Sequence, residues 1–351
     1  MAARKIAPEG PKKINLALQG GGAHGAFTWG ALDRILADER IEIAGISGTS
    51  AGALNAAALK AGMIRDGRDG ARASLRALWG RVAGVQDTRM PAWMAPVSAS
   101  AISQAIEYSL PYAVGDAVGR MISPYAYGML YSNPLEPIVR DFDFECVCAE
   151  EGPALFINAT RVRSGKLRVF EGPEVTPEAI MASACLPTLF QAVEIFDKET
   201  GQTEAFWDGG YTGNPALFPL FRGALPDDIV VININPLERE DTPKTPQQIQ
   251  NRINEISFNS SLLREMRAIN FVQRLLDDGT LPEGSMSRVL VHMIADDALM
   301  NELSVATKLV PNGFIMGRLF DAGYAAADRF LETAFDDLGT RSSVDLREMF
   351  S

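Results

Sequence analysis

A pentapeptide with the spacing of a nucleophile turn lies near the N-terminus. Gly48-Thr49-Ser50-Ala51-Gly52 fits the pattern Gly-x-Ser-x-Gly. A nucleophilic serine stands on a tight turn between a strand and a helix, where glycines on either side let neighbouring backbones come close. The apolar residues 41–46 predict the strand, and the alanine-rich residues 53–61 predict the helix. The spacing therefore indicates Ser50 as a nucleophile, with Gly48 and Gly52 as the glycines of the turn.

A second cluster, Gly20-Gly21-Gly22-Ala23-His24-Gly25, follows an apolar run at residues 14–18 that predicts a strand. We call residues 20–25 the glycine loop. The cluster also fits the dinucleotide-binding pattern, which needs an acidic residue at the end of the next strand. That strand ends in Ile46-Ser47-Gly48 and has no carboxylate there. The amides of the three glycines are better explained as donors to an oxyanion, with nucleotide binding independent of Ser50 as the alternative.

A third element, Asp208-Gly209-Gly210, follows a predicted strand at residues 204–207 and precedes Asn214-Pro215. Taken alone, an Asp-Gly pair is typical of a turn. The tripeptide gains significance from the glycine loop, the serine pentapeptide and residues 182–187 (Ala-Ser-Ala-Cys-Leu-Pro), which precede it in the chain. In this order, the four elements resemble the patatin-like phospholipases over about residues 14–235.

The resemblance implies a three-layer α/β/α sandwich with a mainly parallel central sheet. It implies a Ser–Asp dyad, in which Ser50 is the nucleophile and Asp208 the proton acceptor. Gly20, Gly21 and Gly22 correspond to the loop that forms the oxyanion hole. The helix that ends at Pro187 corresponds to one that packs near the active site, and the chemistry requires neither a metal nor an organic cofactor.

The sequence departs from the family pattern at His24, where the family usually carries arginine or lysine. A histidine is the usual general base near neutral pH, whereas a free aspartate has a pKa of about 3.9 and is a weak base. His24 beside the glycine loop and His292 on a predicted strand are therefore alternative bases. We favour a role for His24 in shaping the loop, and Asp208 as the base, helped by burial or by concerted proton transfer.

The remaining pattern divides the chain into two regions. Residues 14–236 form the predicted catalytic core, with an insertion of short helices and loops at about residues 79–133. That insertion is rich in Trp, Met and Tyr, which suits either a lid or acyl-chain pocket, or packing against the core. Residues 141–145 alternate like a surface strand. Residues 237–351 are predicted to be mostly helical, with one strand at residues 288–294.

Composition restricts the partners and the compartment. The net charge of −11 argues against nucleic acid and against simple attachment to an anionic membrane. Three cysteines and two histidines suggest neither a disulfide framework nor a metal site. The sequence pattern predicts neither a secretory signal peptide nor a membrane-spanning run of ~20 apolar residues. We expect a cytoplasmic protein, with peripheral membrane contact left open and the oligomeric state undetermined.

The sequence thus predicts a serine hydrolase of lipid acyl esters, with phospholipids or lysophospholipids as the substrates the resemblance implies. Hydrolysis of an intracellular polyester or a thioester at the same site remains an alternative. A non-catalytic lipid-binding or regulatory protein of the same fold is a second alternative. It is weakened because both dyad residues and the glycine loop are present.

Overall fold

The computed structural model of the chain describes residues 10–84, 99–107, 123–239, 242–282, 284–304 and 306–350. These residues contain an eight-stranded mixed sheet in the order β5-β6-β3-β2-β1-β7-β8, with β4 also paired to β3. The strands are β1 (Lys12–Leu18), β2 (Ile41–Thr49), β3 (Ala154–Arg161), β4 (Leu167–Glu171), β5 (Val193–Asp197), β6 (Gln202–Asp208), β7 (Asp228–Ile232) and β8 (Leu290–Ile294).

Helices flank this sheet and make up much of the C-terminal third. They are α1 (Gly25–Leu36), α2 (Ala51–Ala83), α3 (Ala99–Glu107), α4 (Glu136–Arg140), α5 (Phe144–Val147), α6 (Pro177–Ser183), α7 (Pro246–Asp277), α8 (Asp297–Glu302), α9 (Ala306–Leu309), α10 (Gly313–Thr333) and α11 (Leu346–Met349). Helix α2 is interrupted at Asp66 and Gly67, whose backbone angles are not helical. Short 3-10 helices lie at Gly22–His24, Gly209–Tyr211 and Phe218–Phe221, among other places.

The centre of the sheet is parallel and one side is antiparallel. Strands β3, β2, β1, β7 and β8 pair in parallel, whereas β4, β6 and β5 join by antiparallel pairing. Strand β3 pairs with β2 as far as Asn158 and with β6 from Ala159 onward, while β4 occupies its other edge over residues 156–160. The ends of β2 and β6 therefore meet head to head along one edge of β3.

Two apolar clusters lie on opposite faces of the sheet. Alternate residues of a strand point to opposite faces, so Leu16 and Leu18 of β1 belong to one cluster and Ala17 to the other. The first cluster packs against α1, α2, α6 and α10, and the second against α7, α11 and the 3-10 helix at Phe218–Phe221. This arrangement confirms the three-layer α/β/α sandwich.

The C-terminal region adds to both the sheet and its layers. Strand β8 pairs with β7 and extends the sheet beyond it, and it lies within the strand predicted at residues 288–294. Helix α10 packs closely on α1 through glycines. A Cβ atom built on Gly30 would lie 1.9 Å from the carbonyl oxygen of Phe320, and one on Gly323 would lie 2.0 Å from that of Phe27. A division of the chain at residue 236 stays a prediction.

Two predicted segments differ from the structure or fall partly outside it. The surface strand expected at residues 141–145 is wrong, because Asp143 caps α5 by accepting a hydrogen bond from the Cys146 N–H. The insertion expected at residues 79–133 begins inside α2 and includes α3 and the 3-10 helix Pro124–Leu130. Its residues 85–98 and 108–122, which hold most of the Trp, Met and Tyr side chains, lie outside the described residues.

Candidate active site

Ser50 occupies a strained turn between β2 and α2. Its backbone has φ 54° and ψ −120°, and among the described residues it is the only non-glycine residue with positive φ. A side chain rarely adopts this conformation, because Cβ then crowds the backbone. The turn raises the serine above the end of the sheet, and Ser50 retains 8% exposure in an otherwise buried environment. This is the geometry of a nucleophile elbow.

The two glycines of the turn lie where backbones almost touch. A Cβ atom on Gly48 would stand 2.6 Å from the carbonyl oxygen of Gly52. A Cβ on Gly52 would stand 2.1 Å from the carbonyl oxygen of Leu18. Real Cβ atoms do not come this close to backbone oxygens. A side chain at Gly52 would therefore force the elbow away from β1, and one at Gly48 would force the end of β2 away from the first turn of α2.

A buried serine of α6 holds the backbone of the elbow. The Ser50 N–H donates to Ser183 Oγ at 2.9 Å, and that hydroxyl donates to the carbonyl oxygen of Asn158 at 2.6 Å. Asn158 lies on β3 opposite Thr49, and its Nδ2 donates to Thr49 Oγ1 at 3.1 Å. The Ser183 and Asn158 side chains are fully buried, so these hydrogen bonds tie α6, β3 and the elbow into one rigid unit.

Asp208 is the last residue of β6, and hydrogen bonds of its backbone to other segments fix its position. Its N–H donates to the carbonyl oxygen of Cys185 at 2.7 Å, and its carbonyl oxygen accepts from Thr160 Oγ1 at 2.8 Å. The carboxylate Oδ1 accepts from the Gly210 N–H at 2.7 Å, which leaves Oδ2 without an ordinary hydrogen bond to a described residue. Burial raises the pKa of Asp208 to about 7, although the bonds from Gly210 and Ser50 act to lower it.

Ser50 and Asp208 are neighbours because their strands share an edge of β3. Thr49 pairs with Asn158, and Asp208 pairs with the next residue, Ala159. The Ser50 hydroxyl acts on the pKa of Asp208 as a hydrogen-bond donor, while Oδ2 has no partner of standard geometry.

The glycine loop is fixed at its first residue by two asparagines. The Gly20 N–H donates to Asn214 Oδ1 at 2.7 Å, and the Gly20 carbonyl oxygen accepts from Asn235 Nδ2 at 2.8 Å. A Cβ atom on Gly20 would lie 2.7 Å from that of Ser50, so the loop passes directly beside the elbow. The Gly20 amide is thus engaged, whereas the amides of Gly21 and Gly22 donate to no other described residue.

The two histidines lie in different surroundings. His24 is 1% exposed, and its Nε2 lies 2.7 Å from Thr307 Oγ1. The Thr307 hydroxyl donates to the Ser304 carbonyl oxygen, so the imidazole Nε2–H is the donor to Thr307. Burial, followed by the charges of Lys308 and Arg239, holds the pKa of His24 well below its usual value. His24 is therefore a neutral, anchored side chain.

His292 is tied to structure rather than to the elbow. It lies on β8 with Nε2 3.0 Å from Asp228 Oδ1 and Nδ1 3.1 Å from Ser343 Oγ. Strand β8 is the edge strand of the sheet beyond β7, three strands from β2. These contacts link the sheet edge to the C-terminal segment.

Two tyrosine hydroxyls bind the segment that follows α6, residues 186–192. Tyr131 Oη accepts from the Gln191 N–H at 3.1 Å, and Tyr125 Oη accepts from the Ala192 N–H at 3.0 Å. Tyr125 is nonetheless 60% exposed. Tyr125 and Tyr131 therefore brace this loop, whereas Trp79 is buried and donates to Asn55 Oδ1, and Tyr127 is exposed. The remaining aromatic residues of the expected segment lie outside the described ranges.

Several polar residues of the site were not identified from the sequence. Asn214 and Ser183 lie inside sequence motifs, Asn214-Pro215 and residues 182–187, but their residue types do not indicate which backbone groups they bind. Asn158, Asn235 and Lys308 carried no signal, since an isolated polar residue on an apolar strand or short helix gives no indication of its partner. Only the folded chain brings them against the elbow and the glycine loop.

The described residues form neither a metal-binding cluster nor a membrane-spanning helix. Within residues 10–84, 99–107, 123–239, 242–282, 284–304 and 306–350, no group of three or more His, Cys, Asp or Glu residues could hold a metal ion. Cys146, Cys148 and Cys185 are free thiols. The helices described by the structure include none that is long and apolar enough to cross a bilayer.

The fold and the elbow define a class, an α/β protein with a serine on a nucleophile turn beside a glycine loop. Residues 16–111 match the family model described as patatin-like phospholipase, which confirms the resemblance and, at family level, indicates a lipid acyl hydrolase. The crystal structure of VipD from Legionella pneumophila is similar with 14% identity and a TM-score of 0.40, over 92% of this chain and 67% of that chain. No curated protein matches the chain.

Proposed function

We propose that this protein is a serine hydrolase of lipid acyl esters, of the phospholipase A or lysophospholipase type, with Ser50 as nucleophile and Asp208 as proton acceptor. The observation that carries the proposal is the meeting of β2 and β6. It brings a strained serine and a buried carboxyl with one unpaired oxygen to adjacent positions along β3. Nucleotide binding by the glycine loop lacks such support.

The reaction begins when Ser50 Oγ attacks the ester carbonyl carbon and its proton passes to Asp208 Oδ2. The carbonyl oxygen becomes an oxyanion, and the amides of Gly21 and Gly22 are the donors available to it. The tetrahedral intermediate collapses as Asp208 returns the proton to the leaving alcohol. Water then attacks the acyl-serine carbonyl carbon and gives a proton to Asp208. As the bond to Ser50 Oγ breaks and the acid leaves, Asp208 returns that proton to Oγ, which restores the Ser50 hydroxyl and the Asp208 carboxylate.

Gly20 has a different part in this scheme from Gly21 and Gly22. Its amide is bonded to Asn214, so it contributes by fixing the loop against Ser50 rather than by donating to the oxyanion. Asp208 is suited to accept a proton near neutral pH because burial raises its pKa to about 7. A pKa this close to the working pH removes the objection that a free aspartate is too weak a base.

The test is hydrolysis of a short activated ester and of phosphatidylcholine and lysophosphatidylcholine by wild type, Ser50→Ala and Asp208→Asn, with fluorophosphonate labelling in parallel. We expect loss of kcat of at least ~10³-fold in Ser50→Ala, and labelling only of proteins that retain Ser50. Asp208→Asn should lose a similar factor. Folded wild-type protein that neither turns over nor labels would refute the proposal and leave a lipid-binding role.

The same assay distinguishes the substrate classes left open by the site. Release of fatty acid from phospholipid vesicles would assign a phospholipase. Activity confined to a polyester emulsion or to acyl thioesters would assign one of the alternatives at the same dyad. His24→Gln, which preserves a donor to Thr307, should keep most activity, because the proposal gives His24 no proton to move.

A further inference from the structure

A lysine far along the chain contacts the glycine loop at two points. Lys308 lies on α9, and its carbonyl oxygen packs so close to Gly22 that a Cβ there would be 2.2 Å away. Its ammonium Nζ donates to Asn235 Oδ1 at 2.8 Å. Asn235 in turn donates from Nδ2 to the Gly20 carbonyl oxygen. The backbone of Lys308 therefore contacts one end of the three-glycine run, and its side chain reaches the other end through Asn235.

The ammonium sits in a largely buried cluster of charges. The Lys308 side chain is 11% exposed and lies 3.8 Å from Glu255 Oε1 on α7. Arg239 and Arg252 also bind Glu255, at 2.7 Å and 3.3 Å. Burial alone would raise the pKa of Glu255, but the hydrogen bonds from Arg239 and Arg252 and the charge of Lys308 lower it. Glu255 is thus a fixed anion shared by three cations, and His24 nearby is neutral.

We propose that Lys308 is a positioning residue of the glycine loop: through its backbone and through Asn235 it sets the Gly21 and Gly22 amides toward Ser50. The inference rests on the proposed function, since it assigns a role in the same oxyanion site. It makes the C-terminal region part of the catalytic unit, although the family match ends at residue 111. The Asn235 Nδ2 group donates to the Gly20 carbonyl oxygen and, at 3.2 Å, to Gln19 Oε1, and Lys308 supplies the donor to its Oδ1, so Lys308 completes the set of contacts that orients this amide.

The charge of Lys308 should affect the pH dependence of kcat, which a purely structural role of this residue would leave unchanged. Burial lowers the pKa of Lys308 to about 8, with Arg239 adding to the effect and Glu255 opposing it. A neutral amine is a weaker donor to Asn235 than an ammonium. Activity should therefore fall as the pH rises through about 8, giving an alkaline limb to the kcat profile.

The experiment compares wild type, Lys308→Met, Lys308→Arg and Asn235→Ala on a soluble activated ester. We expect kcat to fall about 10- to 100-fold in Lys308→Met and in Asn235→Ala, with KM within about threefold of wild type, since oxyanion contacts act in the transition state. The double variant Lys308→Met/Asn235→Ala should have a kcat close to that of either single variant, because both residues act through the same contact. Lys308→Arg should restore much of kcat and move the alkaline limb upward, because a guanidinium stays charged.

Lys60→Met is the matched control. Lys60 is a similarly buried lysine whose ammonium donates to the Ala149 carbonyl oxygen, away from the glycine loop, and burial lowers its pKa. Its replacement should lower the melting temperature but leave kcat and the alkaline limb unchanged. If Lys308→Met does not fold, the wild-type limb and its shift in Lys308→Arg decide the question.

Three results would overturn the inference, and they distinguish its failure from that of the proposed function. If Ser50→Ala is inactive but folded Lys308→Met or Asn235→Ala keeps kcat within twofold of wild type, Lys308 is not a positioning residue and the proposed function stands. An alkaline limb that is the same in Lys308→Arg as in wild type has the same meaning. If Ser50→Ala retains wild-type activity, the proposed function and this inference fail together.

Discussion

At the residue scale, the site depends on two side chains that the surrounding structure keeps in unfavourable states. Ser50 holds a backbone conformation that costs of the order of 1–3 kcal/mol. Its N–H donates to Ser183 Oγ and its carbonyl oxygen accepts from the first turn of α2, and these bonds keep it there. Asp208 is buried without a cationic partner among the described residues, so its ionised form is destabilised and its pKa rises. Both costs are typical of functional positions rather than of stabilising ones.

The raised pKa of Asp208 predicts an acid limb in the activity of wild type. Only the ionised carboxylate accepts the serine proton, so kcat/KM should rise about tenfold per pH unit below the pKa and level off above about pH 7. The measurement is kcat/KM on a neutral activated ester between pH 5 and 9. This range spans the pKa of Asp208, about 7, and the pKa of Lys308, about 8. The two limbs together should give a narrow bell.

Glu265 provides the control for this limb. Burial also raises its pKa to about 7, but its carboxylate accepts from the Leu217 and Phe218 amides and has no contact with the elbow. Glu265→Gln should therefore keep the acid limb, whereas the residual activity of Asp208→Asn should lose it. If the acid limb stays in Asp208→Asn and disappears in Glu265→Gln, the titrating group is Glu265 and the prediction for Asp208 is wrong.

At the element scale, the elbow depends on close approach between β1, β2 and α2. The carbonyl of Leu18 lies where a side chain on Gly52 would go, and the carbonyl of Gly52 lies where one on Gly48 would go. The strand end, the turn and the first turn of α2 therefore form one packed unit. Since backbone oxygens cannot move away like flexible side chains, a small added group must displace the helix or the strand.

We predict that Gly52→Ala abolishes activity and lowers the free energy of unfolding by about 1–3 kcal/mol, because its methyl group would overlap the Leu18 carbonyl. The measurement is denaturant unfolding together with ester hydrolysis. Gly223→Ala is the matched control, since a Cβ there has no atom within 4 Å and the backbone angle is an ordinary one. Equal stability and activity in the two variants would contradict the packing argument.

At the scale of the whole molecule, the C-terminal region completes the sandwich. Strand β8 covers the edge of β7, α10 covers α1 through glycine contacts, and α7 covers the opposite face of the sheet. Helix α9 reaches the glycine loop through Lys308. Without these elements, apolar residues of both clusters and an edge of the parallel sheet would be exposed to water.

We predict that a chain ending at residue 236 does not fold cooperatively, because it loses β8 and the helices that cover both faces. The measurement is thermal unfolding followed by circular dichroism, with the full chain as control. A cooperative transition with a native-like strand signal in the shortened chain would show that the predicted core of residues 14–236 is an independent domain.

Local patterns in the sequence were sufficient for the parts of the site that depend on adjacent residues. The elbow glycines and Ser50 follow from spacing, since a strand-turn-helix with a tight backbone permits few residue types. The strands predicted at residues 14–18, 41–46, 204–207 and 288–294 follow from apolar runs. The three layers follow from the resemblance to the patatin-like phospholipases. The strand predicted at residues 141–145 is wrong because Asp143 forms a helix cap, a local hydrogen bond that outweighed the alternating pattern.

The tertiary structure decided everything that depends on partners distant in the chain. Asp208 lies beside Ser50 because β6 continues the edge of β3 where β2 ends, and no local pattern encodes that register. The pKa of Asp208 follows from burial, and the orientation of the glycine loop follows from Asn214, Asn235 and Lys308. The sequence by itself determined which residues can react; the packing of distant segments determined where they meet and how they ionise, because desolvation and side-chain hydrogen bonds arise only on folding.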